Sequence, residues 1–274
     1  METCYRHPSR ETGVSCSNCG RPICPECMTP TPVGMRCPEC ASHRTRVTTM
    51  RSMATQPTVT YALLAINVVA FLAELVSGLN LGGSNIGTSS VVDHGALSRF
   101  TVANGDYWRL ITAGFLHASL WHIAFNMWAL WILGQILEPM VGHVRFGIVY
   151  FVSLLAGSFG ALLLTKTGFT VGASGAVFGL MGAAILTLRN RGFDVVQTGL
   201  PLILGINLLF SFTFSGISVG GHLGGLFGGS LAALLLLELG ERRRVPHVAT
   251  LLLVSAIGVA SVIGAIAVAH SGTA

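Results

Sequence analysis

Charge is scarce in this chain. Only 10% of its 274 residues are charged and 51% are hydrophobic. Soluble domains carry about a quarter charged residues, so this is a membrane composition. Lysine is nearly missing: Lys166 is the only one. The other basic residues are arginines, concentrated before residue 52 and between apolar runs. No basic face or stripe of the kind that grips a phosphate backbone is present, which excludes nucleic acid as a partner. The start Met1-Glu2-Thr3-Cys4 has neither a basic n-region nor an apolar h-region. No cleavable signal peptide is therefore expected, and the first apolar run should act as its own signal. Carboxylates are absent from the middles of the apolar runs: Glu74, Asp93, Asp106, Glu138, Asp194, Glu238 and Glu241 all sit at run ends or in loops. With no mid-membrane carboxylate relay and no inverted repeat, a transporter is a poor fit.

Cysteine is absent beyond residue 40, and before it is dense: Cys4, Cys16, Cys19, Cys24, Cys27, Cys37 and Cys40. With His7 they form one C-x-x-H and three C-x-x-C pairs, enough ligands for two tetrahedral zinc ions. A disulfide framework would leave one cysteine over, and a cytoplasmic side keeps thiols reduced. So short a segment has almost no core, so bound metal would supply most of its folding free energy. The pairs can be used in order, or cross-braced as first with third and second with fourth. The arrangement resembles the B-box-like zinc fingers. Residues 1–42 thus read as a zinc-binding module with about two structural Zn2+, able to recruit a cytosolic protein partner. Residues 43–57, with Arg44, Arg46 and Arg51, read as a basic linker.

Seven apolar runs follow, near 58–77, 119–138, 144–164, 174–188, 195–214, 219–239 and 248–269, each long enough or nearly so to cross the bilayer. If every run crosses once, four arginine groups share a side: Arg44, Arg46 and Arg51; Arg145; Arg189 and Arg191; and Arg242, Arg243 and Arg244. The opposite side holds Arg99, Arg109 and Lys166. The positive-inside bias makes the N-terminus cytoplasmic and the C-terminus extracytoplasmic. The long segment from Leu79 to His117 is then outside, with Trp108 expected at the interface and Arg109 free to snorkel to headgroups.

On that topology three sites approach the same outer face. Ser174 opens the fourth run between two glycines, His222 lies near the start of the sixth, and His122 and Asn126 stand one helical turn apart in the second. The bland readings are a helix cap for Ser174 and interhelical hydrogen bonds for His122 and Asn126. But Gly175 and Gly179 in the fourth run, and Gly221, Gly225 and Gly229 in the sixth, are spaced for close helix approach. Such approach would bring the serine hydroxyl within reach of the imidazole, a natural base near neutral pH. No carboxylate lies at that depth, so the pattern argues for a Ser-His dyad rather than a triad. Phe178, one turn from Ser174, is placed to stack on the imidazole. His122, Asn126 and the Ser174 amide are candidate oxyanion donors.

These residues carry a resemblance. The chain from about 58 to 269 resembles the rhomboid intramembrane serine proteases in Trp108-Arg109, in His117 with His122 and Asn126, and in Glu138 and Gly142. The likeness continues in Gly172-Ala173-Ser174-Gly175 and in His222, Gly225 and Gly229. It implies an all-α polytopic bundle over residues 58–274, a six-span core plus a seventh C-terminal span. It also implies Ser174 as nucleophile, His222 as general base, and His122, Asn126 and the Ser174 amide as an oxyanion hole. Catalysis would need no metal, and the substrates would be membrane-anchored proteins cut near their outer ends in the plasma membrane. Some relatives have tyrosine where this chain has Phe178, which keeps the ring but lacks the hydroxyl. The stretch Phe210 to Ser218 matches the region thought to gate substrate access. The rival reading is a non-catalytic rhomboid-like binder of membrane clients; loss of the serine or the base usually betrays such proteins, and here both are present.

Overall fold

The computed structural model describes residues 2–42, 56–78, 89–214 and 216–271. The linker arginines Arg44, Arg46 and Arg51, the Gly/Ser-rich part of the outer segment through residue 88, Ser215, and residues 272–274 lie outside them. The chain divides into two compact units, Met1–Ala54 and Thr55–Ala274.

The first unit is small. Strands β1 (Glu2–Thr3) and β2 (Glu11–Thr12) pair antiparallel, and so do β3 (Thr29–Thr31) and β4 (Gly34–Arg36). A single 3-10 turn, Pro25–Cys27, and a short helix α1 (Pro38–Ser42) complete it. Its apolar core is little more than Ile23 and the cysteines themselves. Surface pairs Arg6–Glu39 and Arg10–Glu26 tie its edges.

The second unit is a helical bundle: α2 (Thr58–Val76), short helices α3 (Ser90–Gly95), α4 (Arg99–Ala103) and α5 (Arg109–Thr112), then α6 (Leu120–Val141), α7 (His143–Leu164), α8 (Ser174–Asn190), α9 (Leu200–Thr213), α10 (Val219–Leu235) and α11 (His247–Ser271). α10 continues as π-helical turns over Leu236–Arg242. The seven longest helices fall on the seven apolar runs. Among the described residues, five helices are long and apolar enough to cross a membrane: α2, α6, α7, α10 with its π-helical extension, and α11. The chain is a multi-pass membrane protein. α8 and α9, with 17 and 14 residues, are shorter. At about 1.5 Å per residue α8 is roughly 26 Å long, less than the ~30 Å hydrocarbon core. It survives because it is surrounded: twelve of its residues are buried. The fifth run begins later than its hydropathy indicates. Residues 195–199 form a turn, Gly199 takes a left-handed φ of 72°, and Pro201 sits in the first turn, so α9 starts at Leu200.

The α7–α8–α10 trio is held by backbone. α10 carries two glycine stripes. A Cβ at Gly220 or Gly224 would collide with the backbone carbonyl of Gly160 or Ala156 in α7, and one at Gly225 or Gly229 with that of Gly175 or Gly179 in α8. Small residues at this spacing let membrane helices approach to backbone contact. α2 is fastened differently. The buried carboxylate of Glu138, near the end of α6, accepts from the amides of Val59 and Thr60 at 2.9 and 2.8 Å, and from the Thr60 hydroxyl at 2.6 Å. It thereby satisfies donors that a helix N-terminus leaves orphaned. At the same end of the bundle Glu241 pairs with Arg145 and Arg191, and Arg242 reaches Asn190. Arg145 in the first turn of α7, Arg191 just after α8 and Arg242 at the end of the π-helical turns therefore meet at one end.

Candidate active site

The site forms at the opposite end. Two stitches fix the chain ahead of α8: Leu97 and Thr170 exchange backbone hydrogen bonds, and the Gly172 amide donates to Ala113 O at 2.8 Å. Gly172 has φ 127°, a conformation that favours glycine, and a Cβ there would lie 2.7 Å from the His122 ring. The chain then turns through Ala173 into α8. The N-cap position belongs to Ala173, which makes no side-chain capping bond. Ser174 is thus not acting as the cap. Its hydroxyl lies 2.8 Å from Nε2 of His222, across the α8–α10 glycine seam. Phe178 stacks on the His222 ring at 4.0 Å and 15°.

The other face of that imidazole has a partner that the sequence reading did not name. Nδ1 of His222 lies 2.6 Å from the Ser211 hydroxyl of α9. The only advance signal was a hydroxyl in an apolar run, which is more often bonded within its own helix.

His122 and Asn126 are brought to the site unequally. The Ala118 amide donates to His122 Nδ1 at 3.4 Å, which in the neutral ring leaves the proton on Nε2. Nε2 and Cε1 are the two ring atoms nearest Gly172. The Asn126 amide instead donates to its own helix, to His122 O at 2.9 Å. His117 is fully buried with its ring edge-on to His122 at 5.1 Å, and neither ring nitrogen has a hydrogen-bond partner among the described residues. Its amide donates to both carboxylate oxygens of Glu74 at 3.1 Å, so that acid anchors the C-terminal end of α2 to the start of α6. Arg109 does not snorkel. It is buried, pairs with Asp106 at 2.9 Å, and donates to the carbonyls of Asp93 and Ala96 at 2.7 and 2.9 Å. One guanidinium thus satisfies two carbonyls of the segment between α2 and α6. Trp108 is exposed, with its indole N–H on His94 O.

A rhomboid-domain family model matches residues 104–239. The putative rhomboid protease YdcA of Bacillus subtilis is 38% identical over 52% of this chain and 73% of its own length. The chain belongs to the rhomboid family. The rhomboid protease GluP of the same organism is 36% identical over 65% of this chain, and RHOMBOID-like protein 7 of Arabidopsis thaliana 39% identical over 47%. The chain covers about a third of GluP's length, 34%, and 43% of the Arabidopsis protein's. The rhomboid match contains every candidate site residue of the bundle and leaves the N-terminal unit, α2 to α4 and α11 outside.

In that N-terminal unit the cysteine pairs are cross-braced. Cys4, His7, Cys24 and Cys27 form one cluster, and Cys16, Cys19, Cys37 and Cys40 the other. His7 Nδ1 lies 3.9, 3.3 and 3.5 Å from the sulfurs of Cys4, Cys24 and Cys27, and the Cys19 and Cys37 sulfurs are 3.8 Å apart. A tetrahedron with Zn–S bonds of ~2.3 Å has edges of about 3.8 Å, so both ligand sets fit such an ion. The Cys37 amide donates to Cys16 Sγ at 3.3 Å and draws that thiol down to about 6, toward the thiolate that a metal needs.

Proposed function

We propose that the protein is an intramembrane serine endopeptidase that cuts membrane-anchored proteins near their extracytoplasmic ends. The single observation that carries this is the 2.8 Å contact of Ser174 Oγ with His222 Nε2, between helices locked by glycine. In the reaction Ser174 Oγ attacks the scissile carbonyl carbon while its proton passes to Nε2. The carbonyl electron pair moves to oxygen, where the Ser174 amide, His122 Nε2–H and the Asn126 amide stabilise it. Asn126 must first release its bond to His122 O. Collapse breaks the C–N bond, and the leaving amine takes the proton from Nε2. Water then repeats the sequence on the acyl-serine. Phe178 holds the base by stacking.

In this reading residues 58–274 are the protease domain, residues 43–57 the basic linker and residues 1–42 a cytoplasmic module. That module binds two structural zinc ions, through Cys4, His7, Cys24 and Cys27 and through Cys16, Cys19, Cys37 and Cys40, and recruits a cytosolic partner. The protein lies in the plasma membrane with its N-terminus cytoplasmic and its C-terminus outside. The arginines gathered at one end of the bundle support that orientation.

The test uses purified protein in liposomes with a fluorogenic transmembrane peptide. Wild type should cleave it, and a serine-directed fluorophosphonate should label Ser174. Cleavage by the Ser174→Ala protein at the wild-type rate would sink the reading. Binding of the peptide without cleavage by wild type would favour the client binder instead.

A further inference from the structure

Among the hydrophilic groups of α9, Asn207, Ser211 and Thr213 each return a bond to the carbonyl four residues back. For Asn207 and Thr213 that is the whole account, since both are exposed. Ser211 differs in two ways. It is buried, and its hydroxyl also lies 2.6 Å from His222 Nδ1. A hydroxyl has one proton, and Asn207 O can only accept. Both contacts are satisfied together when the Ser211 proton goes to Asn207 O, at 2.7 Å, and the Ser211 oxygen accepts from Nδ1–H. That arrangement puts the single proton of the neutral imidazole on Nδ1. Nε2 then presents its lone pair to the Ser174 hydroxyl, the tautomer a general base requires.

We propose that Ser211 is the positioning residue of the base: a neutral hydroxyl on α9 that fixes the tautomer and the ring plane of His222 and accepts from the imidazolium as it forms. The chain Ser174–His222–Ser211 thus stands where a triad would have a carboxylate. Because Ser211 belongs to α9, the base is fully oriented only while α9 lies against α10. This inference rests on the protease reading.

Saturation kinetics of fluorophosphonate labelling test it, on the full chain in detergent micelles. Loss of a hydrogen bond to a group that becomes charged should lower the maximal labelling rate about 10- to 100-fold in Ser211→Ala, with the half-saturating concentration unchanged. Ser211→Cys, nearly the same size but a weak acceptor, should fall between alanine and wild type. Leu200→Ala removes the other buried side chain of α9. It should lower the thermal midpoint at least as much as Ser211→Ala yet keep the maximal rate. The proposal is overturned if Ser211→Ala or Ser211→Cys labels at the wild-type rate. It is equally overturned if Leu200→Ala loses the rate as Ser211→Ala does, since Ser211 would then be only structural. Absence of labelling in wild type overturns the protease reading itself, and the role of Ser211 with it.

Discussion

α10 and α9 both reach His222 and are held in opposite ways. α10 lies backbone against backbone on α7 and α8, through glycines with no room for a methyl group. α9 buries only Leu200 and Ser211, and Leu202, Leu209 and Phe212 face outward. The spacing of Ser174 and His222, the proposed nucleophile and base, is set by the rigid contact, since a glycine seam has no rotamers to relax. The Nδ1 edge of the same imidazole meets, among the described residues, only the Ser211 oxygen, on a helix with few other buried side chains. In a bilayer lipid is as apolar as leucine, so an outward apolar face gives α9 little reason to stay. One side of the site is held by backbone contact and the other by a single side chain.

The severest way to break this arrangement is chemical. Ser174→Ala or His222→Ala should each reduce peptide cleavage by about 10⁵-fold or more, and the double variant should be no worse than either. Turnover in liposomes measures this, and additive losses would mean that the two residues do not act as a unit. Next come the oxyanion donors. His122→Ala and Asn126→Ala should each cost about 10²- to 10³-fold in turnover. A less stable but fully active Asn126→Ala protein would make that residue packing glue, as its present bond to His122 O allows. Third, Gly225→Ala should push α10 off α8, cost about 1–3 kcal/mol and lower turnover about 100-fold by misplacing the base. Its counterpart on α9, Gly205→Ala, meets nothing within 4 Å. It should leave turnover unchanged and add up to about 1 kcal/mol through helix propensity. Equal losses at Gly225 and Gly205 would erase the contrast between the two helices. The smallest effect belongs to chelation: removing metal should unfold the N-terminal unit, read by loss of thiol protection, and leave cleavage unchanged.

Much of this was legible in the sequence because it is written in spacing. Four-residue glycine intervals gave the close helix pair, and hydropathy with arginine placement gave the seven helices. Cysteine and histidine pairs three apart gave the two Cys/His clusters. What spacing does not encode is which pair joins which. Sequential and cross-braced zinc sites have the same ligand order, and only the path of the strands separates them. Ser211 was hidden for a related reason: a serine in a membrane helix satisfies itself on the preceding turn, so its second bond depends on the rotation of α9. Arg109 misled because a long cation in an outer loop can reach water, and the competing pull of two carbonyls appears only once the loop has folded. The late start of α9 was a contest between hydropathy, which continues through Val195 and Val196, and the backbone geometry of Gly199.

The stitches ahead of Ser174 make the outer segment a lever. Leu97 is bonded to Thr170 and Ala113 to Gly172, so the strip that leads into the nucleophile hangs from the loop above it. Arg109 and the Ser98–Thr101 capping box stiffen that loop from within. A displacement of the loop as a body would thus be passed through Gly172 to the Ser174 amide within two residues, while the glycine seam holds His222 still. In the proposed mechanism, a ligand that presses on the loop would move the amide and the hydroxyl of Ser174 together against His222, so that one displacement would disturb oxyanion stabilisation and proton transfer at once.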